Sequence, residues 1–221
     1  MTYIISDIHG NILRYRSLMS RIGLTEEDHL YVLGDITDRF PDGVTILQEL
    51  MQMPNCTVLR GNHDTMFLDA VTKCGRDDFE LWYSNGGQVT YKAFRRLPEA
   101  ERNKIIEFIQ NMPISMTIEV NGKEYILAHG SPPSLYNPKD YRYFDENEFA
   151  IWNRLDPDIK IPGNQIAIFG HTPTLIYQRE KGFPLQIWYG NNKIGIDCGS
   201  GFDGGRLACL RLEDMKEFYS E

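Results

Sequence analysis

The stretch Tyr3-Ile4-Ile5-Ser6-Asp7-Ile8-His9-Gly10 decides how this chain is read. Three apolar residues make a short strand. The turn after it carries a carboxylate and an imidazole on alternate positions, and closes on glycine. A short apolar run followed by a polar turn beside a glycine returns twice. Leu30–Leu33 runs into Gly34-Asp35-Ile36-Thr37-Asp38-Arg39, and Thr57–Leu59 is followed by Gly61-Asn62-His63-Asp64. Between these strands, apolar residues recur at helical spacing. Tyr15, Leu18, Met19 and Ile22 predict a helix over 11–22, and Leu47, Leu50 and Met51 predict one over 43–53. Strands alternating with helices predict βαβ units, a parallel sheet and the α/β class.

Further along, residues 65–111 read as mainly helical, with a break at Asn85-Gly86-Gly87. Pro98 precedes the acidic start of a helix that runs to about Met112. Met116–Val120 and Lys123–Ala128 flank Asn121-Gly122, a two-residue hairpin signal. Later strands are expected at 166–169, 185–188, 193–196 and 206–212, so the second half is β-rich and a second sheet should pack on the first. Residues 131–164 are rich in Pro, Tyr and Asp and read as a long loop with one short helix. No repeat or low-complexity segment interrupts the 221 residues. They are expected to form one domain with a helical elaboration at about 65–112 and a substrate-side loop at about 131–164.

Composition is that of a globular chain: 42% hydrophobic and 24% charged, with 23 basic against 31 acidic residues and a net charge of −8. That acidity argues against a nucleic-acid backbone as partner, because such binding is driven by cationic contacts. Phosphorylated substrates stay open, since metal ions can supply the positive charge locally. Cys56, Cys74, Cys198 and Cys209 form no C-x-x-C pair, and none has an arginine six positions on. Zinc-ribbon, thioredoxin-like and cysteine-phosphatase chemistry are thereby set aside. Reduced buried thiols in the cytoplasm are expected instead. No apolar run is long enough for a bilayer span, and Ser6, Asp7 and His9 break the first apolar stretch too early for a secretory leader.

Two more motifs complete a set of five: His129-Gly130 and Gly170-His171-Thr172, each after a predicted strand. Ligands in open α/β sheets gather beyond the carboxyl ends of strands. Here carboxylate, imidazole and amide oxygen recur at those positions, a donor set suited to Mn, Fe or Zn rather than to a thiolate-loving metal. Asp7 and His9 can aim at one ion and Asp35 can bridge to a second, which Asn62, His129 and His171 would complete. Two ions about 3.5–4 Å apart clamp a phosphoryl group and activate a water for in-line attack. Taken singly the motifs have plain explanations: Asp-x-His is a solvated turn, Asn-His-Asp a helix N-cap, Gly-His-Thr a structural histidine. Four of the five histidines nevertheless fall in the set, and only His29 lies outside it.

The ordered motifs resemble the calcineurin-like metallophosphoesterases of the phosphoprotein-phosphatase type, particularly the small serine/threonine protein phosphatases of bacteria and bacteriophages. The likeness spans about residues 4–200 and includes Trp82 with Asn85-Gly86-Gly87, and Trp152-Asn153-Arg154. It implies a βαβαβ core in which two mixed sheets pack together and are flanked by helices, in α-β-β-α layers. It implies that Asp7 and His9 hold the first ion, Asp35 bridges, and Asn62, His129 and His171 hold the second. Manganese is the foremost choice, with Fe, Zn or Ni as others. His63 would be the general acid, with Asp38 holding its ring; Arg39 and Arg154 would grip phosphate, with Asn62 touching it too. Two positions depart from the family pattern. Phe40 stands where glycine is usual, either altering the backbone beside Arg39 or adding an apolar wall to the pocket, and Asp64 stands where glutamate is usual.

The implied reaction is hydrolysis of a phosphoprotein at serine or threonine, with phosphotyrosine a further option. Hydrolysis of a dinucleoside polyphosphate or another small phosphoester is the alternative, and a non-catalytic metal-binding scaffold a third reading. Neither nucleic acid nor membrane is expected as partner. Tyr136, Tyr141, Tyr143 and Phe144 in the long loop either stack on a base or pack against the body.

Overall fold

The structure, a computed structural model, describes residues 1–141, 145–178, 182 and 184–221. The first sheet contains β1 (Thr2–Ile5), β2 (His29–Val32), β3 (Cys56–Val58), β9 (Ala208–Arg211) and β10 (Lys216–Tyr219). Its order is β10-β9-β1-β2-β3, with β1, β2 and β3 parallel and the other two antiparallel to their neighbours. The second sheet contains β4 (Ser115–Val120), β5 (Lys123–Ala128), β6 (Ile166–Phe169), β7 (Trp188–Gly190) and β8 (Lys193–Gly195). Its order is β4-β5-β6-β8-β7, with β5, β6 and β8 parallel. Asn121 (φ 51°) and Gly122 (φ 72°) both take the left-handed backbone that a tight β4–β5 turn requires.

Side-chain alternation explains why the first sheet is covered on both faces. Tyr3 and Ile5 join the helix-side core, while Ile4 between them joins the core that lies against the second sheet. The helix-side core draws on α1 (Ile12–Ile22), α2 (Gly43–Met51), α3 (Asn62–Thr72), α4 (Arg76–Ser84), α5 (Gln88–Phe94) and α6 (Glu99–Gln110). The inter-sheet core is aliphatic: Ile4, Leu33, Leu127, Ile168, Ile196 and Leu210 are all fully buried. Truncating Ile4 to alanine there costs about 2–5 kcal/mol. Local signals set the ends of α1. Asn11 Oδ1 accepts the Arg14 N–H at 3.1 Å, and Gly23 closes the helix at φ 57°.

Several expectations need adjustment. β7 lies at Trp188–Gly190 rather than 185–188; Leu185 and Ile187 instead fill the inter-sheet core from irregular backbone. β10 was not expected at all. The long loop contains 3-10 turns at Pro133–Leu135 and Pro138–Tyr141 and one helix, α7 (Glu146–Trp152), capped by Asp145. Tyr136 and Tyr141 pack on Phe149 of α7, with centroids 4.9 and 4.6 Å apart; Tyr143 and Phe144 lie outside the described residues. The cysteines are unpaired, but only Cys198 and Cys209 are buried. Cys56 is half-buried and Cys74 is exposed at the end of α3.

Candidate metal centre and its surroundings

The carboxyl ends of the parallel strands meet. The turns after β1, β2 and β3 bring Asp7, His9, Asp35, Asp38, Arg39, Asn62 and His63, and those after β5 and β6 bring His129 and His171. Six of the ten non-glycine residues with positive φ among the described residues are in this set: Asp7, His9, Asp35, Asp38, Arg39 and His171. Such conformations are uncommon for residues with a Cβ and cluster where surrounding structure imposes them. Here each sharp turn aims a polar side chain back over the strand ends. Gly34 (φ 82°) lets the β2 turn pass the backbone of Gly61, and a Cβ on Gly61 would strike the Asp35 carboxylate. Glycine at both places is a packing requirement of the cluster.

Three rings are fixed in the same way. His9 Nδ1 lies 3.2 Å from the carbonyl of Thr37, His129 Nδ1 2.7 Å from that of Leu33, and His171 Nε2 3.1 Å from that of Trp152. Each donates its N–H to a carbonyl, so the other nitrogen of each ring faces inward with a lone pair. Inward, His129 Nε2 is 2.9 Å and His171 Nδ1 3.0 Å from the amide oxygen of Asn62. Asp35 adds a carboxylate oxygen 3.4 Å from His129 Nε2 and another 3.7 Å from His9 Nε2. Lone pairs converging on lone pairs in a buried place are an arrangement that a cation satisfies. Without one, a proton does so. Burial opposes charge on His129, but Asp35 and Asp7 outweigh it and push its pKa up to about 10. Burial and the neighbouring His129 drive His171 down to about 3. Asp35 is itself opposed by burial, yet His129 and His63 hold it well below the usual carboxylate range.

Two groups of ligand atoms lie within 4.8 Å of one another: His9, Asp35 and His63, and Asp35, His129 and His171. Asp35 belongs to both. Asp7 is close by, with an oxygen 4.0 Å from His9 Nε2, but both its oxygens also accept the His171 N–H, at 3.0 and 3.2 Å. Ser6 Oγ donates to it as well, and burial pushes it up to about 6.

His63 differs from the other three rings. Its Nδ1 is 2.8 Å from an Asp38 carboxylate oxygen, not from a carbonyl. Asp38 is fully buried and receives Trp82 Nε1–H at 2.9 and 3.0 Å and Thr90 Oγ–H at 2.6 Å. Arg39 Nη2 lies 3.3 Å from His63 Nε2, on the cavity side. That cavity, about 350 Å³, is lined by Asp7, His9, Asp35, Arg39, Asn62 and His63, and across from them by Arg154, His171, Asp197 and Phe202. Arg154 is exposed and forms no ion pair with Asp156 or Asp158 among the described residues. Its neighbour Asn153 ties the end of α7 to Ser131 at 3.0 Å.

Both departures from the family pattern have a structural account. Asp64 sits at the start of α3, fully buried, and accepts the N–H of Gly61 and of Asp35, each at 2.9 Å. It thereby staples the β2 and β3 turns together. Phe40 does not line the cavity; its ring lies 5.9 Å from the Arg14 guanidinium, on the outer side of the β2 turn. Ser6, Thr90, Asp197 and Phe202 escaped sequence reasoning. Phe202 is 47% exposed, with the Arg39 guanidinium 4.5 Å over its ring. Asp197 follows β8 as the other site residues follow their strands, and that position is the one signal that could have found it.

A family model for calcineurin-like phosphoesterases matches residues 2–197. The chain belongs to that family. It is a hydrolase of phosphoric esters, and the family depends on dinuclear metal sites. "Serine/threonine-protein phosphatase 1" of Salmonella typhimurium is 27% identical over 223 residues, covering 96% of this chain and 91% of that protein. An asymmetrical bis(5'-nucleosyl)-tetraphosphatase of Oceanobacillus iheyensis is 25% identical, covering 98% and 90%. The crystal structure of a metallophosphoesterase from Sphaerobacter thermophilus superposes with a TM-score of 0.60 at 18% identity, covering 99% of this chain and 87% of that one. The Salmonella protein is named for a protein substrate and the Oceanobacillus protein for a nucleotide one. Among the described residues no helix is long and apolar enough to cross a membrane.

Proposed function

We propose that the protein is a dinuclear-metal phosphomonoesterase that acts on phosphoserine and phosphothreonine in proteins. The observation that carries this reading is the His63–Asp38 pair at 2.8 Å, anchored by Trp82 and Thr90. A serine or threonine alkoxide is a poor leaving group and needs a proton; the nucleotide expelled from a dinucleoside polyphosphate leaves as a stabilised phosphate anion and needs one less. A ring held this firmly is most useful where proton delivery limits the rate.

The ligands in this proposal are Asp7 and His9 for one ion, Asn62, His129 and His171 for the other, and Asp35 for both. Manganese fits the mixed oxygen and nitrogen donors. When bound, the two ions supply charge that polarises the phosphoryl group and lowers the pKa of an attacking water. The chain's own side chains do the rest. Arg39 and Arg154 bind phosphoryl oxygens from opposite sides of the cavity, with Asn62 beside them. Water attacks phosphorus in line, the bond to the leaving oxygen breaks, and His63 Nε2 gives that oxygen its proton. His63 is assigned as acid rather than ligand because its Nδ1 is held by the Asp38 carboxylate, a partner that His9, His129 and His171 lack, which leaves Nε2 facing the cavity. A bound phosphate that draws Arg39 away frees Nε2 for its task.

The chain works as one domain in this reading, because each ion takes ligands that other turns orient. The four free thiols fit a reducing, cytoplasmic setting. One observation favours the nucleotide alternative: Phe202 offers an exposed ring at the cavity rim, on which a base can stack. A competition assay among a phosphoserine peptide, diadenosine tetraphosphate and p-nitrophenyl phosphate tests the choice. The proposal expects the highest kcat/KM on the peptide; a clear preference for diadenosine tetraphosphate would reverse it.

A further inference from the structure

Beside the active cavity, on the helical segment between β3 and β4, lies a second surface that the chemistry above does not use. Two clefts adjoin there. One, about 230 Å³, has an apolar floor that includes Phe79, Tyr91 and Phe94, with Arg95 and Arg102 at its edge. The other, about 530 Å³, is lined by Gln88, Tyr91, Lys92, Arg95 and Arg96. Tyr91 and Arg95 belong to both, so the clefts form one groove with an apolar half and a cationic half. Lys92, Arg95 and Arg96 are exposed, and neither they nor Arg102 have an ion-pair partner among the described residues.

On a chain of net charge −8 this is a local reversal of sign. Three carboxylates of the surrounding helices are engaged elsewhere: Glu80 pairs with Arg76, Asp69 with Lys73, and Glu101 accepts from Gln48. The groove also adjoins the active cavity. Asn85 lines the cavity and Gln88 lines the basic cleft, so only Gly86 and Gly87 separate them, a reach of at most about 10 Å.

We propose that this groove docks an acidic polypeptide segment carrying an apolar side chain, on the same substrate that presents its phosphate to the metal centre. The cationic half matches clustered glutamate or aspartate, and charge complementarity of this kind sets partner choice and association rate. The apolar half distinguishes a polypeptide from a plain polyanion, because it buries a side chain that polyphosphate lacks. The inference rests on the phosphoprotein reading for its purpose, though not for the binding itself.

The test uses the full chain with exposed groups reversed, R95E/R96E. A short fluorescein-labelled peptide of glutamates around one phenylalanine, without phosphate, should bind the wild-type protein at least tenfold more tightly than a serine-substituted control. The variant should lose that preference. On a phosphoserine peptide with the same acidic flank, the variant should show KM raised about tenfold with kcat unchanged. Its rate on p-nitrophenyl phosphate, which cannot reach the groove, should stay at the wild-type level and reports that the variant is folded. If it is not, K92E serves in its place. Equal binding of the acidic peptide by wild type and variant overturns the proposal, as does tighter binding of inorganic polyphosphate or RNA than of the peptide. Hydrolysis of phosphopeptides irrespective of their flanks defeats the groove and leaves the phosphatase reading standing. Binding of the acidic peptide without hydrolysis of any phosphopeptide defeats the phosphatase reading and leaves the groove.

Discussion

The two sheets contribute to the cluster in different ways. The ends of β1, β2 and β3 supply Asp7 and Asp35, along with the Asp38–His63 pair and Arg39. They hold the cluster under backbone strain, with Asp7, His9, Asp35, Asp38 and Arg39 all at positive φ. The ends of β5 and β6 supply two imidazoles, His129 and His171. His129 is aimed by a carbonyl of the opposite sheet, that of Leu33. One sheet therefore supplies the carboxylates that stand nearest the rings, Asp7 and Asp35, and the other lends two imidazoles across the seam. Neither set is complete alone, and the apolar packing of Ile4, Leu33, Leu127 and Ile168 between the sheets holds the two in register.

Removing the cation from that seam should have the largest effect. Dialysis against a chelator should abolish turnover, and added manganese should restore it. The cation-free cage keeps a proton on His129, whose pKa stands at about 10, so metal binding must expel that proton. Between pH 6 and 9 the apparent metal affinity should therefore rise by roughly tenfold per pH unit for that one proton. Calorimetric titrations in buffers of different ionisation enthalpy would show the release. An affinity independent of pH would mean that the cage is not protonated as described.

His63→Asn should come next. It removes the proton donor from the charged side while leaving the imidazoles of the other sheet in place. Turnover of a phosphoserine peptide should fall by about 10²–10⁴-fold, and that of p-nitrophenyl phosphate far less, because its leaving group needs no acid. An equal loss on both esters would argue against proton delivery, and loss of one ion would make His63 a ligand.

Gly61→Ala tests the close approach of the β2 and β3 turns. The added Cβ meets the Asp35 carboxylate and backbone, and strain of this kind costs about 1–3 kcal/mol. A thermal melt should shift down by several degrees, and an unchanged melting temperature would show that the turns can part freely.

Trp82→Phe makes the smallest change. It deletes one N–H donor to Asp38 and keeps the ring that stacks on Phe67 at 5.0 Å. Loss of a hydrogen bond to a charged group costs about 1.5–3 kcal/mol, discounted here because Thr90 still donates to the same carboxylate. The rate should fall by less than tenfold on the peptide and not at all on p-nitrophenyl phosphate.

Much of this was legible in the chain, for a physical reason. A convergent polar cluster needs polar residues at strand ends, and Asp7, His9, Asp35, Asn62, His129 and His171 stand there in order; holding metal is the role proposed for them. The βαβ alternation and the Asn121-Gly122 turn were legible because local chemistry dictates them. What escaped depends on contacts distant in sequence. Thr90 meets Asp38 from a helix 52 residues away, and nothing around it marks a site. Phe202 reaches the cavity rim from a turn between β8 and β9 with no metal-ligand pattern. β10 is four residues long and draws its stability from pairing with β9, and Leu185 and Ile187 fill the core without strand pairing, which misplaced β7. Asp64 was visible as a departure, but its stapling of two turns could be seen only once Gly61 and Asp35 were placed together.

Asp35 is where the contributions of the two sheets join, one oxygen toward His9 and the other toward His129. Metal content of purified Asp35→Asn, measured by elemental analysis after equilibration with manganese, tests that sharing most directly. The account predicts two ions per wild-type chain and loss of metal together with activity in the variant. Two ions retained by Asp35→Asn would contradict it.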